Sequence, residues 1–268
     1  MNANTLPNLL EKMWSDYVMI NPLAQKVYDT LTAQGEKVLN DHIALRTFRH
    51  PRVGLDVLAK PFLDSGYKYI GDYHFKEKKL YAKHYEHTDS SLPKIFISEL
   101  KIEECSKELQ TIVGDLLAQI PKGMEFDFDF TSKGRPWKVS SVIYEKLNKE
   151  SDYAAWVSAF GYRPNHFTVF INNLKKFSSI TELNKFLKDQ GFKLNSSGGE
   201  VKGSPEVFLE QSSTLANNID VQFDDKKMSI PACYYEFAKR YNLPNGKLYQ
   251  GFVATSADKI FESTSKGQ

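Results

Sequence analysis

Asp41-His42-Ile43-Ala44-Leu45-Arg46-Thr47-Phe48 is a short apolar and branched run suited to a buried strand. A second run of the same kind, Asn165-His166-Phe167-Thr168-Val169-Phe170-Ile171, stands in the other half of the chain. Each is followed by a helical pattern closing at glycine, Leu55 to Ser65 before Gly66 and Ile180 to Gln190 before Gly191. Gly66 follows His42 by 24 residues, and Gly191 follows His166 by 25. The helix ends also match, Phe62-Leu63 before Gly66-Tyr67 and Phe186-Leu187 before Gly191-Phe192. Strand-like stretches follow both glycines: Tyr67 to Tyr73, Lys79 to Tyr85 and Lys94 to Leu100, then Glu206 to Gln211, Ile219 to Phe223 and Ala232 to Arg240. The chain therefore reads as two β-α-β-β-β units, with a histidine at the same place in each.

Working outward, residues 5–34 read as helical, with Leu9, Leu10, Met13, Trp14 and Tyr17 at helical spacing and Leu23, Val27, Tyr28 and Leu31 repeating it. Residues 102–160 read as a helical insertion, carried by Leu109, Ile112, Val113, Leu116 and Leu117 and by a stretch from Val142 to Phe160. Within it, Phe126-Asp127-Phe128-Asp129-Phe130 alternates as a half-exposed or edge strand would. The expected architecture is α+β. It is one domain over residues 1–268, with modules at 40–101 and 164–241 paired into a mixed-sheet barrel and helical additions at the N-terminus and centre.

The 268 residues are 41% hydrophobic and 25% charged, enough for a sizeable core. A net charge of +2 gives no electrostatic reason to expect nucleic acid. No run of 18 apolar residues suggests a membrane span, and Leu9-Leu10 is followed by Glu11, Lys12 and Asp16, unlike a signal peptide. The expectation is a cytoplasmic protein acting on small molecules; its oligomeric state is not legible. Cys105 and Cys233 are too few for a disulfide framework or a four-thiolate metal site and read as inert. Any metal must then be held by histidine and carboxylate.

Strand alternation puts His42, Ala44 and Arg46 on one face, and His166, Thr168 and Phe170 on one face. If the units pair about a pseudo-twofold axis, the two histidines converge. The last strand of each unit carries an acid, Glu99 in the first and Glu236 in the second. Two imidazoles and one carboxylate form the facial set favoured by non-haem Fe(II) oxygenases.

This arrangement resembles the vicinal-oxygen-chelate superfamily, which pairs β-α-β-β-β units and draws metal ligands from their first and last strands. The strings Asn40-Asp41-His42-Ile43-Ala44-Leu45-Arg46-Thr47, Pro93-Lys94-Ile95-Phe96-Ile97-Ser98-Glu99-Leu100, Asn165-His166-Phe167-Thr168 and Tyr234-Tyr235-Glu236-Phe237-Ala238-Lys239-Arg240 look more narrowly like the 2-oxoadipate dioxygenase/decarboxylase family. The resemblance covers about residues 5–255. It implies that His42, His166 and Glu236 hold Fe(II), replaced by Zn, Ni or Co in some purified samples, and serve as the catalytic centre. It also implies that Arg46 clamps a substrate carboxylate. Arg46 lies ~13 Å beyond His42 at ~3.3 Å per residue, a span its long side chain can reach back across. The implied reaction converts 2-oxoadipate and O2 to 2-hydroxyglutarate and carbon dioxide, in lysine breakdown.

Blander readings stand beside these. Glu99 is either a further ligand, a group behind the ligands, or the partner of a lysine at the barrel rim. Arg46 could pair with a core acid. His50, His74, His84 and His87 have charged or polar neighbours and read as solvated. The stretch Gly198-Gly199-Glu200-Val201-Lys202-Gly203 lacks phosphate-loop spacing and reads as a flexible connection, or a lid. Two other functions fit the scaffold: a metal-dependent hydrolase, lyase or isomerase in which Zn activates water, and a metal-free binding module.

Overall fold

The structure, a computed structural model, describes residues 4–253. Two helices, α1 (Leu6–Ile20) and α2 (Pro22–Ala33), lead into the first module: β1 (Asn40–Phe48), α3 (Leu55–Asp64), β2 (Lys68–Phe75), β3 (Leu80–Glu86) and β4 (Lys94–Leu100). The central addition holds α4 (Lys107–Ala118), α5 (Ser141–Glu150) and α6 (Asp152–Phe160). The second module follows as β5 (Pro164–Phe170), α7 (Ile180–Asp189), β6 (Lys202–Ser204) and β7 (Leu209–Ser213). It then inserts β8 (Asn218–Gln222) and β9 (Lys227–Pro231) before its last strand, β10 (Glu236–Arg240).

Among the described residues, eight strands form one curled sheet in the order β2-β3-β4-β1-β5-β10-β7-β6. The modules meet where β1 runs antiparallel to β5, and inside each module the first strand lies parallel to the last. This is the paired-module, mixed-sheet arrangement expected from the repeat. The convex side is covered by apolar helical faces. Trp14 and Tyr17 of α1 pack on Phe167 with ring centroids 5.0 Å away in each case, and the Tyr17 hydroxyl donates to the Tyr234 carbonyl. Phe167 and Val169 thus face the helices, which turns His166 and Thr168 to the inside. Alternation explains both facts.

Several stretches differ from the sequence expectation; the strand expected at Glu206 to Gln211, for one, is Leu209–Ser213, preceded by a 3-10 turn at Pro205–Val207. Phe126 ends one 3-10 turn (Met124–Phe126) and Phe130 begins another (Phe130–Ser132), with no strand between them, because no neighbouring strand offers a ladder there. Their alternation does not sort the aromatic rings: Phe130 is buried but Phe126 is exposed, while Asp127 and Asp129 bind Lys133 and Asp129 also binds Lys12. Ile219 to Phe223 belongs to a separate β8–β9 hairpin, so the second module reaches β10 only after that excursion. The final strand starts at Glu236 rather than Ala232. The 141–160 stretch is two helices, divided at Ser151, whose side chain caps α6 by accepting from the Ala154 amide. No described helix is long and apolar enough to cross a membrane.

Candidate metal centre

In the seam between modules, His42 of β1 is opposite Thr168 and Ala44 is opposite His166. The ladder is irregular at two points. Pairing steps from Asn40↔Val169 to His42↔Thr168, leaving Asp41 as an extra residue on β1. It also steps from Ala44↔His166 to Leu45↔Pro164, leaving Asn165 as an extra residue on β5. Each is a bulge directly before a histidine, and a bulge re-aims the side chain it carries. Both side chains turn onto the adjacent ring. His42 Nδ1 donates to Asp41 Oδ2 at 2.8 Å, and His166 Nδ1 donates to Asn165 Oδ1 at 3.1 Å. With each Nδ1 proton so engaged, Nε2 is left as a lone-pair donor pointing inward.

The two Nε2 atoms are 3.4 Å apart. Glu236 Oε1 is 3.5 Å from that of His42, and Oε2 is 3.4 Å from that of His166. All three ligand atoms lie within 4.8 Å of one another, and all three residues are buried. Burial lowers the basicity of His42 against the pull of Asp41, and lowers that of His166 strongly, helped by His42 and Arg46. Both imidazoles are therefore neutral at pH 7. Burial raises Glu236 to about 8, although the Gln211 amide donates to it at 2.5 Å. A divalent cation answers this set. It accepts two neutral nitrogens and relieves the desolvated carboxylate, and ligands ~2.1 Å from one ion stand roughly 3.0–3.4 Å apart.

Among the described residues only one acid reaches the centre, and register explains why. Glu236 is opposite Thr168, two residues beyond His166. The matching partner of Ala44, two residues beyond His42, is Phe96. The first module thus presents a phenyl ring where the second presents a carboxylate, which leaves one side of the site without a protein ligand. Glu99 is three residues further along β4 and is not in the pocket. It accepts from Arg49 Nε at 2.7 Å and from the Leu55 amide at 3.0 Å, at the start of α3. Its role is to hold that helix end, and a four-ligand site containing Glu99 is excluded by geometry.

Arg46 does reach the site. Together with His42, His166, Glu236, Ser98, Gln211, Tyr234, Phe96 and Phe252 it lines one pocket. Its guanidinium carbon sits 5.1 Å from the Tyr153 ring centre and 5.2 Å from that of Trp156, both on α6. The Tyr153 hydroxyl also ties β1 to β4, accepting from the Thr47 amide at 3.0 Å and donating to the Ser98 carbonyl at 2.7 Å. The central addition therefore builds the cationic end of the pocket. A sign of this was present in the sequence, since beyond Asp152 the helix is mostly apolar on every face, and the structure buries all of residues 153–160.

Other pocket residues were missed. Tyr234 stacks on His166 at 4.7 Å, and Phe252 stands edge-on to His42 at 4.8 Å. Phe252 comes from an aperiodic segment after β10, which pattern reading cannot place. His84 was also misread. It is buried, bonded to the Tyr73 hydroxyl at 2.9 Å and to Glu86 at 3.1 Å, beside Phe252. His74 is exposed and far from this role.

Comparison with known proteins agrees with the geometry. The HGLS family model, 2-oxoadipate dioxygenase/decarboxylase, matches residues 4–121 and 130–248. An Arabidopsis thaliana protein named 2-oxoadipate dioxygenase/decarboxylase, chloroplastic, is 35% identical over 97% of this chain and 78% of its own length. The crystal structure of hydroxyglutarate synthase in complex with 2-oxoadipate from Oryza sativa is 36% identical, with a TM-score of 0.91 over 96% of this chain and 91% of that one. A Shewanella frigidimarina structure, described provisionally as a hydrolase, is 52% identical with a TM-score of 0.89, covering 92% and 96% of the two chains.

Proposed function

From the premise that the chain belongs to the 2-oxoadipate dioxygenase/decarboxylase family, and so is an enzyme of that class, we propose that it converts 2-oxoadipate and O2 to 2-hydroxyglutarate and carbon dioxide. The observation that carries this reading is the buried His42–His166–Glu236 group at one end of a pocket whose other polar anchor is Arg46. The atoms of that reaction balance with no second 2-oxo acid, so a pocket for one small dicarboxylate suffices. His42, His166 and Glu236 would hold Fe(II), which when bound would supply the O2 chemistry that no side chain can perform.

The rest falls to the protein. Arg46, held over the rings of Tyr153 and Trp156, offers a planar fork that can pair with the far carboxylate of the substrate. That end-on grip fixes which end of the molecule faces the three ligands. Gln211 holds the Glu236 carboxylate in one orientation. Phe96, Tyr234 and Phe252 line the remaining wall with rings and exclude water from the reacting end. Such a reaction would belong to a route of lysine breakdown.

Oxygen uptake after anaerobic Fe(II) loading tests the reading, using 2-oxo acids of four to seven carbons. The expected result is consumption with 2-oxoadipate and none in His42→Ala; full activity in His42→Ala sinks the proposal. Arg46→Lys should keep the metal but raise KM ten- to hundredfold, as loss of charged hydrogen bonds worth about 1.5–3 kcal/mol requires.

A further inference from the structure

Beyond β10 the chain folds back on itself. The Tyr249 amide donates to the Tyr241 carbonyl at 2.9 Å, and Asn242 bridges to Leu248. Residues 249–252 then insert Phe252 into the pocket wall, its ring 4.8 Å from that of His42 and 4.9 Å from that of Phe96. Two polar anchors hold this strap. The Phe252 amide donates to the Tyr73 hydroxyl at 3.2 Å. Arg240 Nη1 donates to the carbonyls of Tyr249 and Gly251, at 3.1 and 2.8 Å.

The same guanidinium has a second duty. Its Nε and Nη2 donate to Asp41 Oδ1 and Oδ2 at 2.6 and 2.8 Å, and Asp41 Oδ2 is the atom that receives the His42 Nδ1 proton. Arg240 is fully buried, so each acceptor it loses is an acceptor not replaced by bulk water. A rigid planar fork transmits orientation as well as charge, whereas an ammonium would not.

We propose that Arg240 is a positioning residue that couples closure of the 249–252 strap over the pocket to the orientation of His42. With the strap seated, two carbonyls and a carboxylate fix the guanidinium, and the carboxylate fixes the imidazole. With the strap lifted, the fork loses two of its four acceptors, Asp41 loses its fixed partner, and His42 is free to turn. This rests on His42, His166 and Glu236 being a metal site. Coupling of this kind is reciprocal, so metal binding must also tighten the strap.

Hydrogen exchange of the 249–252 amides, with and without Co(II), reads the coupling directly. In the wild-type chain Co(II) should slow exchange at Phe252 about tenfold or more. In Arg240→Lys that protection should vanish, and Co(II) should dissociate roughly ten- to hundredfold faster, the usual range for groups behind a ligand. Two variants leave Arg240 and Asp41 intact. Tyr73→Phe removes the anchor of the Phe252 amide, and Gly251→Ala sets a Cβ 2.6 Å from the Tyr249 hydroxyl. Each should speed strap exchange and Co(II) release together. Faster strap exchange with unchanged Co(II) release overturns the proposal while leaving the metal site standing. Failure of the wild-type chain to bind Co(II) overturns the metal reading, and the coupling with it.

Discussion

The two modules bring the same residue to the same place and then surround it differently. In the first, His42 is backed by the Asp41 carboxylate, which is locked by a fully buried Arg240, and Phe96 stands opposite Ala44, two residues further along. In the second, His166 is backed by the Asn165 amide and shares its side of the site with Glu236. Bulges at Asp41 and Asn165 make the two settings geometrically equivalent, so the contrast is one of charge. Against a burial that would raise it, Arg240 and then Lys94 hold Asp41 well below the ordinary carboxylate range. A permanent negative charge thus stands behind one ligand and a neutral dipole behind the other. The module with the charged support supplies no acid to the centre; the module with the neutral support does. Total charge in the buried seam is kept low by this division, which low-dielectric surroundings demand.

The largest expected effect comes from exchanging the supports. Asp41→Asn strands Arg240 without its counter-charge and should cost about 3–5 kcal/mol, the range for breaking a buried ion pair. It should also weaken metal binding about 10–100-fold. Asn165→Asp places a second carboxylate beside Glu236 with no cation paired to it, and should destabilise the metal-free protein while metal-loaded protein recovers part of the loss. Thermal denaturation with and without metal separates the two. Equal behaviour of both variants would mean that the supports are interchangeable.

A smaller effect lies in protons. Glu236 is raised to about 8 by burial, so in the metal-free protein it is protonated at pH 7, while the imidazoles are already neutral. Metal uptake below pH 8 should therefore release close to one proton, and apparent affinity should climb about tenfold per pH unit until it levels near pH 8. Calorimetry in buffers of different ionisation enthalpy measures the release. The sign for stability follows: a raised carboxylate stabilises the metal-free fold fully below pH 4.5, and that contribution is lost as pH rises through about 8. Release of two protons would place a charged imidazole in the site and break the assignment of neutral ligands.

The smallest effect belongs to the acid that resembles Glu236 in sequence only. Glu99→Gln should leave metal binding untouched and lower stability by roughly 1 kcal/mol, since it holds a half-exposed Arg49 and one helix-end amide. A loss of metal on that substitution would restore Glu99 to the centre.

These contrasts show what a single sequence discloses. Alternation and the glycine spacing expose His42 and His166 because both are local signals, repeated twice. The choice between Glu99 and Glu236 is not local. It depends on where β4 sits against β1, and parallel register is set by loops and packing rather than by the strand's own residues. The bulges were invisible for a related reason. Asp41 and Asn165 break the period of two, and a rule built on that period assigns them to the wrong face. Phe252 lies beyond any periodic segment, and the aromatic alternation at Phe126 to Phe130 was a pattern without a partner. Burial of His84 likewise came from a neighbour, the strap, and not from the strand that carries it.

The pairing of His42 with Thr168 and of Ala44 with His166 places a twofold axis between the two imidazoles. Any side chain lying off such an axis occurs twice in a strictly symmetric dimer, so ligand counts there are even. Three is a number that two identical half-length chains could not write at this position. Joining the halves in one polypeptide removes the parity constraint: Phe96 and Glu236 occupy mates of one another and differ. The open side of the centre is in this sense a product of covalent linkage.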